Sequence, residues 1–316
     1  MGQTNKRRTH PREKYRVSNW STYNKALISR GDITIWFDDN VKNNWFYTGD
    51  RNPGGKIEYS DVAIEFLMLI KYSFHLTFRQ LEGFATSMVK MWNIEDIKIP
   101  CYSQIQRRSS KVDHQIKIRN TEKQALQVVI DSTGLKVYGE GEWKVRKHGW
   151  GKRRTWRKIH MVSDGNDLEI LSVVVTGNDV DDSTGGIEAI NKIDESIHKL
   201  IGDGAYDKVN FRNNLPGNIE QIIPPQENAV ISEVIGLEQR NDAIRRIKEV
   251  GRQKWKEEIG YHNRSKSEVN MFRYKTIFTE KLNSRKTKNE KREVELKCKI
   301  LNKYAELGMP KSYKIA

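Results

Sequence analysis

Apolar residues recur at helical spacing through the first third of the chain and then give way to strand-like runs. Val62, Ala63, Phe66, Leu67 and Ile70 share one helical stripe, and Ser60 stands where an N-cap belongs. A second helix opens at Thr77 with Gln80 three residues on, the spacing of a capping box, and turns Leu81, Phe84, Ala85, Met88 and Val89 to one side. After Pro100 a third helix is expected from Ser103, with Gln106 three residues later. From Trp20 to Tyr59, aromatics among turn signals such as Gly31-Asp32 and Asn52-Pro53-Gly54-Gly55 predict irregular structure with short helices.

Beyond Asn120 the period changes. Leu126 to Ile130 is a β-branched run ending at Asp131, and Ser132-Thr133-Gly134 separates it from a second short run, Leu135 to Tyr138. Trp156–Val162 and Leu168–Val175 flank Asp164-Gly165-Asn166, which has hairpin-turn composition. Asp181 to Thr184 is a helix start, with Ile187, Ile190 and Ile193 as its apolar positions. A strand from Lys199 to Gly202 ends on Asp203; a helix near Asp207 to Asn213, a strand at Gln221 to Ile223 and a long polar helix follow. Three strands, helix, strand, helix, strand and helix is the order of a ribonuclease H-like α/β domain, a mixed sheet flanked by helices. Four regions result: a basic disordered arm at 1–19, an all-helical domain at 20–120, the ribonuclease H-like domain at 121–280 and a basic helical tail at 281–316.

Charge narrows the partner. The chain of 316 residues carries 56 Lys+Arg against 41 Asp+Glu, a net charge of +15. A polyanion is the simplest counterpart, and nucleic acid fits better than an anionic membrane because no amphipathic anchor stands out. The longest apolar run, Val62 to Ile70, is broken by Glu65 and is too short to span a bilayer. Two cysteines, Cys101 and Cys298, exclude a disulfide framework and a four-cysteine zinc site, and point to a reducing cytoplasm. The expected third helix carries Gln104, Gln106, Arg107 and Arg108, the make-up of a recognition helix in a helix-turn-helix.

Candidate chemistry centres on Tyr261 to Lys275. At 100° per residue, Tyr261, Arg264, Glu268 and Lys275 fall at about 0°, −60°, −20° and −40° on a helix. Phe272, at about 20°, predicts that this face is partly buried. Most such stripes are solvated salt-bridged faces. Two strand-terminal carboxylates, Asp131 and Asp203, offer another use: converging with Glu268, they would make a hard-oxygen site suited to magnesium or manganese. Two ions roughly 3.5 to 4 Å apart serve phosphodiester chemistry. Asp207, Asp164 and Asp182 compete for these positions, with Asp207 expected as the cap of the helix after Asp203. His148, His160 and His262 have no metal-site spacing and are expected at the surface or facing DNA. Eight Lys/Arg between Lys144 and Lys158, interleaved with Trp150 and Trp156, suit either DNA contact or a solvated loop.

Tyr261, Arg264, Glu268 and Lys275 also resemble the Y-x2-R-x3-E-x6-K signature of DDE transposases encoded by bacterial insertion sequences. Val129–Lys136, Gly139–Trp143, Gly202–Tyr206 and Gly308–Pro310 are similar to further stretches of one branch of that group. The resemblance implies that Asp131, Asp203 and Glu268 are the catalytic and metal-binding triad, holding two Mg2+ or Mn2+ ions. It implies that Tyr261, Arg264 and Lys275 contact the transposon end. It further implies double-stranded DNA as partner, both element ends and target, and a homodimer on DNA in a bacterial, nucleoid-associated setting. Any β-rich insertion between Asp203 and Glu268 is expected to be short.

Overall fold

A computed structural model describes residues 14–50, 57–94, 96–114, 116, 126–137, 156–215 and 219–315. Its centre is a mixed five-stranded sheet in the order β4-β3-β2-β5-β6. β3 (Trp156–Asp164) runs antiparallel to both of its neighbours, β2 (Leu126–Lys136) and β4 (Ile170–Gly177). β5 (Ile197–Ile201) lies parallel to β2 on its other side, and β6 (Glu220–Ile222) continues in parallel from β5. Three consecutive strands followed by two parallel crossovers give this order, and it is consistent with a ribonuclease H-like domain.

Side-chain alternation explains how the sheet is covered on both faces. Val128, Ile130 and Leu200 point to one side, where Ala189, Ile190 and Phe211 of helices α6 (Asp182–Ile190) and α7 (Val209–Asn213) complete the core. Leu135, Ile159, Met161 and Val173 point to the other side. They share a core with α3 (Asp61–Ser73), α4 (Phe78–Met91), α10 (Ser265–Phe278) and α11 (Thr287–Leu307). The N-terminal helices therefore pack through α11 against the sheet, and one core runs across positions 120 and 280.

Local rules account for the helix starts. Ser60 accepts from the Ala63 N–H, Thr77 and Gln80 form the complete capping box, and Asp181 accepts from the Ser183 N–H. The third helix differs from expectation. α5 (Tyr102–Ser109) begins one residue before Ser103, with Cys101 as an N-cap whose side chain makes no capping bond to the backbone. Its free Tyr102 N–H instead donates to Glu82 of α4 at 2.7 Å. A long-range carboxylate has replaced the local cap.

Three further departures bear on the site. Ser132-Thr133-Gly134 does not break the strand: β2 continues to Lys136, so Asp131 lies mid-strand and not at its end. Pairing with β3 overrides the turn composition, and Gly134 is where the Trp156 ring crosses the strand, 3.1 Å from where a Cβ would stand. Between β6 and the signature stretch lie two helices the sequence pattern did not predict, α8 (Glu238–Val250) and α9 (Arg252–Glu258), and no strand. Lastly, residues 14–17, expected within the disordered arm, form β1 (Lys14–Val17), which pairs antiparallel with β7 (Ser312–Ile315). The ladder bonds of β7 order a segment that has no apolar period of its own.

Candidate active site

Parallel pairing places the two aspartates level with each other. Val129 of β2 pairs with Ile201, the last residue of β5. Two residues on along each chain are Asp131 and Asp203, on the same face as their partners. Ile259 and Tyr261 cover this face over Val129, Ile201 and Ile222. Gly202 is needed for the approach, since a Cβ there would stand 3.1 Å from the Tyr206 ring.

The signature stretch enters from above. Gly260, with φ +68°, ends α9 and starts a 3-10 turn, Tyr261–Arg264, which leads into α10. The single α-helix expected from Tyr261 to Lys275 is thus two pieces. The tighter 3-10 winding rotates Tyr261 away from the α-helical stripe. Phe272, expected to bury this face, is 70% exposed, because α10 turns Met271, Tyr274 and Phe278 to the core instead. Side chains of α10 fix its height: Lys266 donates to the Gly165 carbonyl, and Asn270 donates to the Ser163 hydroxyl and the Leu168 carbonyl, each at 2.9 Å.

Arg264 gathers the acids. Its Nη2 lies 3.6 Å from Asp203 Oδ2 and 3.9 Å from Asp131 Oδ2, and its Nη1 donates to Glu268 one helical turn on. Side-chain exposure rises from 14% at Asp131 to 33% at Asp203 and 58% at Glu268. Backbone and hydroxyl donors orient the two aspartates: Ser132 N–H at 2.9 Å and Ser267 Oγ at 3.3 Å on Asp131, and Ala205 N–H at 2.9 Å on Asp203. The Ser267 contact spans 136 positions and leaves no local signal in the sequence, whereas the Ser132 and Ala205 N–H groups bond within the motifs that carry the aspartates, where any residue type could supply the donor.

One guanidinium among three carboxylates leaves the cluster with excess negative charge. Burial pushes the Asp131 carboxyl above its ordinary value and Asp203 adds to the push, against the pull of Ser132, Arg264 and Ser267. Burial works against the charge on Arg264, but Tyr261, Asp131 and Glu268 together hold its pKa above the ordinary value. Burial also raises the Tyr261 phenol, whose ring lies 4.9 Å from the Lys256 ammonium. Among the described residues no three His, Cys, Asp or Glu side chains stand as a preassembled metal-ligand group. Asp131, Asp203 and Glu268 are instead spread around Arg264, which occupies the space between them. The donor set still fits a hard divalent ion, since two carboxylates from adjacent strands already face one shared cationic nitrogen.

The rival acids have other work. Asp207 does not cap α7, whose N-cap is Lys208. Its side chain is buried and accepts from Arg212 at 3.0 Å and Arg240 at 3.0 Å. Asp164 accepts from the Asn166 N–H in the hairpin turn, and Asp182 pairs with Lys158. His160, expected at the surface, is fully buried at 2.9 Å from Thr176 Oγ1, and burial lowers its pKa; His262 is exposed and His148 lies outside the described residues.

Two family models with the same description, transposase DDE domain, match the sequence. One covers residues 122–303, more than half of the chain, and contains both aspartates, Glu268 and Arg264. The chain belongs to the DDE transposase family. The second model covers residues 28–140 and reaches from the N-terminal helices of this transposase to just past Asp131. Gly139–Trp143 and most of the Lys144–Lys158 run lie outside the described residues. Lys275 of the transposase is part-exposed on α10 and makes no hydrogen bond or ion pair among the described residues. On α5, Gln106 and Arg107 are exposed and Gln104 is part-exposed. Arg108 is tied down, donating to the Tyr59 carbonyl at 2.9 Å and pairing with Asp61 at 2.6 Å. No described helix is long and apolar enough to cross a membrane.

Proposed function

We propose that this transposase belongs to the Y-x2-R-x3-E-x6-K branch encoded by bacterial insertion sequences. It binds the terminal inverted repeats of its element, cleaves the phosphodiester at the element ends and transfers the 3′ hydroxyls to target DNA. The observation that carries this is the level placement of Asp131 and Asp203 on one sheet face, both within 4 Å of the Arg264 guanidinium that also binds Glu268. The family typically uses divalent metal ions, and Asp131, Asp203 and Glu268 are the residues that would hold two Mg2+ or Mn2+ here. Such ions, when bound, activate the attacking oxygen and neutralise the leaving one.

The chain's own residues do the rest. Ser132, Ser267 and Ala205 keep the aspartate oxygens aimed into the space now held by Arg264. Tyr261, Arg264 and Lys275 take up phosphates of the transposon end, for which an arginine fork is well shaped. Gln104, Gln106 and Arg107 of α5 contact the duplex, while Arg108 holds α5 to α3 in place of a free DNA contact. Two ends are processed together by a dimer assembled on DNA.

Strand transfer from a labelled end-repeat duplex into supercoiled plasmid tests this directly. Wild-type protein is expected to join ends with magnesium, and Asp131→Ala, Asp203→Ala and Glu268→Ala are expected to lose joining. Cleavage without joining, on any duplex, would identify a ribonuclease H-like nuclease instead. Joining by all three variants would remove these residues from the site.

A further inference from the structure

A second cationic site lies in the helical part of the molecule. A cavity of about 500 Å3 opens between α3, α5 and the start of α11, lined among others by Lys71, Tyr72, Ser284, Arg285, Lys286 and Arg292. Lys71 has only 7% of its surface exposed. Among the described residues its ammonium makes no hydrogen bond or ion pair, and it lies 4.2 Å from the Tyr72 ring and 5.0 Å from the Phe78 ring. Burying a lysine with no hydrogen-bond partner is costly: burial lowers its pKa to about 8, with Glu293 pulling it up and Lys297 pushing it down.

The acid nearest to it is already engaged. Glu293 accepts from Lys297 Nζ at 2.6 Å and from the backbone N–H groups of Asn283 and Ser284. Arg292 pairs outward with Asp113 and Glu295. Lys286 is the N-cap of the 21-residue helix α11 and supplies no side-chain cap, so the positive end of that helix faces the same opening. A cavity with an unpaired buried ammonium, further cations at its rim and an uncapped helix start is complementary to one oxyanion.

We propose that this cavity is a phosphate-binding site, with Lys71 as the buried anchor and Lys286 with the α11 N-terminus as the outer contacts. The phosphate belongs either to a DNA backbone or to a free phosphate compound such as a nucleotide. The site is separate from the acid cluster and does not depend on its assignment.

Calorimetric titration of the full chain with inorganic phosphate, in a chloride buffer, tests the site. Saturable one-site binding in the millimolar range or tighter is expected, weakened about tenfold by Lys71→Met and about threefold by Lys286→Ala, as befits loss of a charge-assisted bond. Two further arms distinguish the sources. If inorganic phosphate displaces a duplex oligonucleotide and Lys71→Met weakens duplex binding, the phosphate is DNA's. If adenosine triphosphate binds more tightly than inorganic phosphate while duplex affinity is unchanged, it is a free nucleotide's. Should Lys71→Met fail to fold, the acetylation rate of Lys71 in wild-type protein replaces it, and phosphate is expected to protect the amine. No saturable phosphate binding, or equal affinity in wild type and Lys71→Met, or no protection of Lys71, would overturn the proposal.

Discussion

Asp203 and Asp207 are one turn of chain apart, and each meets arginine, but the two clusters are built for opposite purposes. Around Asp207, two guanidiniums converge on one carboxylate, which is 1% exposed and also accepts from the Gln226 N–H. Every carboxylate oxygen is used and the cluster is left net positive, so nothing in it attracts a cation. Around Arg264 the ratio is reversed: three carboxylates share one guanidinium, two of them at 3.6 and 3.9 Å, beyond direct hydrogen-bond length. The excess of acid over base, the partial exposure and the loose distances leave the second cluster open to a further cation, as the first is not. An arginine–carboxylate contact alone does not distinguish structure from chemistry; the charge balance around it does.

The largest expected effect separates the clusters by function. Asp131→Ala or Asp203→Ala should reduce end cleavage and joining by about 1,000-fold or more while leaving the denaturation midpoint nearly unchanged. Asp207→Ala should do the reverse. It leaves Arg212 buried without its anion, and urea denaturation should show a loss of about 3–5 kcal/mol.

A smaller effect sharpens the difference in charge balance. Arg264→Met removes the cation that the three acids share among the described residues, so the DNA-free protein should bind Mn2+ about five- to tenfold more tightly, read by electron paramagnetic resonance. Weaker Mn2+ binding would mean that Arg264 positions the acids and does not compete for them.

The smallest effect concerns pH. The native pKa of Asp131 is raised above its unfolded value, so folding favours its protonated form. The ionised carboxylate therefore costs stability above that raised value, and the cost disappears as pH falls below the unfolded pKa of about 3.9. Asp131→Asn should be slightly more stable than wild type at pH 7, with the advantage fading towards pH 4 in paired urea denaturation curves. A variant less stable than wild type at pH 7 would contradict this sign.

Much of the fold was legible because burial wrote it into the period. Strand-like apolar runs at 126–130, 156–162 and 168–175 and the strand before Asp203 all correspond to strands of the sheet, and Ser60, Thr77 and Asp181 all cap helices. Helices α8 and α9 escaped because they are strongly polar, with Asn241, Ile244 and Trp255 their only buried residues and an Arg246–Glu258 pair joining them. The continuation of β2 past Asp131 escaped because local turn composition was overruled by pairing with a strand more than twenty residues away. At the site, residue types and order were legible, but geometry was not. Nothing in the spacing of Asp131, Asp203 and Glu268 reveals that a single arginine binds all three, or that Asp207 rather than Asp203 is the buried structural acid.

Cysteine substitution at Asp203 tests the central claim, that these carboxylates hold the catalytic ions, most directly. A thiolate is a poor ligand for hard Mg2+ and a better one for Mn2+. Asp203→Cys should therefore be inactive in strand transfer with magnesium and regain a substantial fraction of activity with manganese, whereas Asp203→Ala should stay inactive with both. Equal activity of Asp203→Cys with the two metals, or no recovery with manganese where wild type is active, would contradict coordination by Asp203.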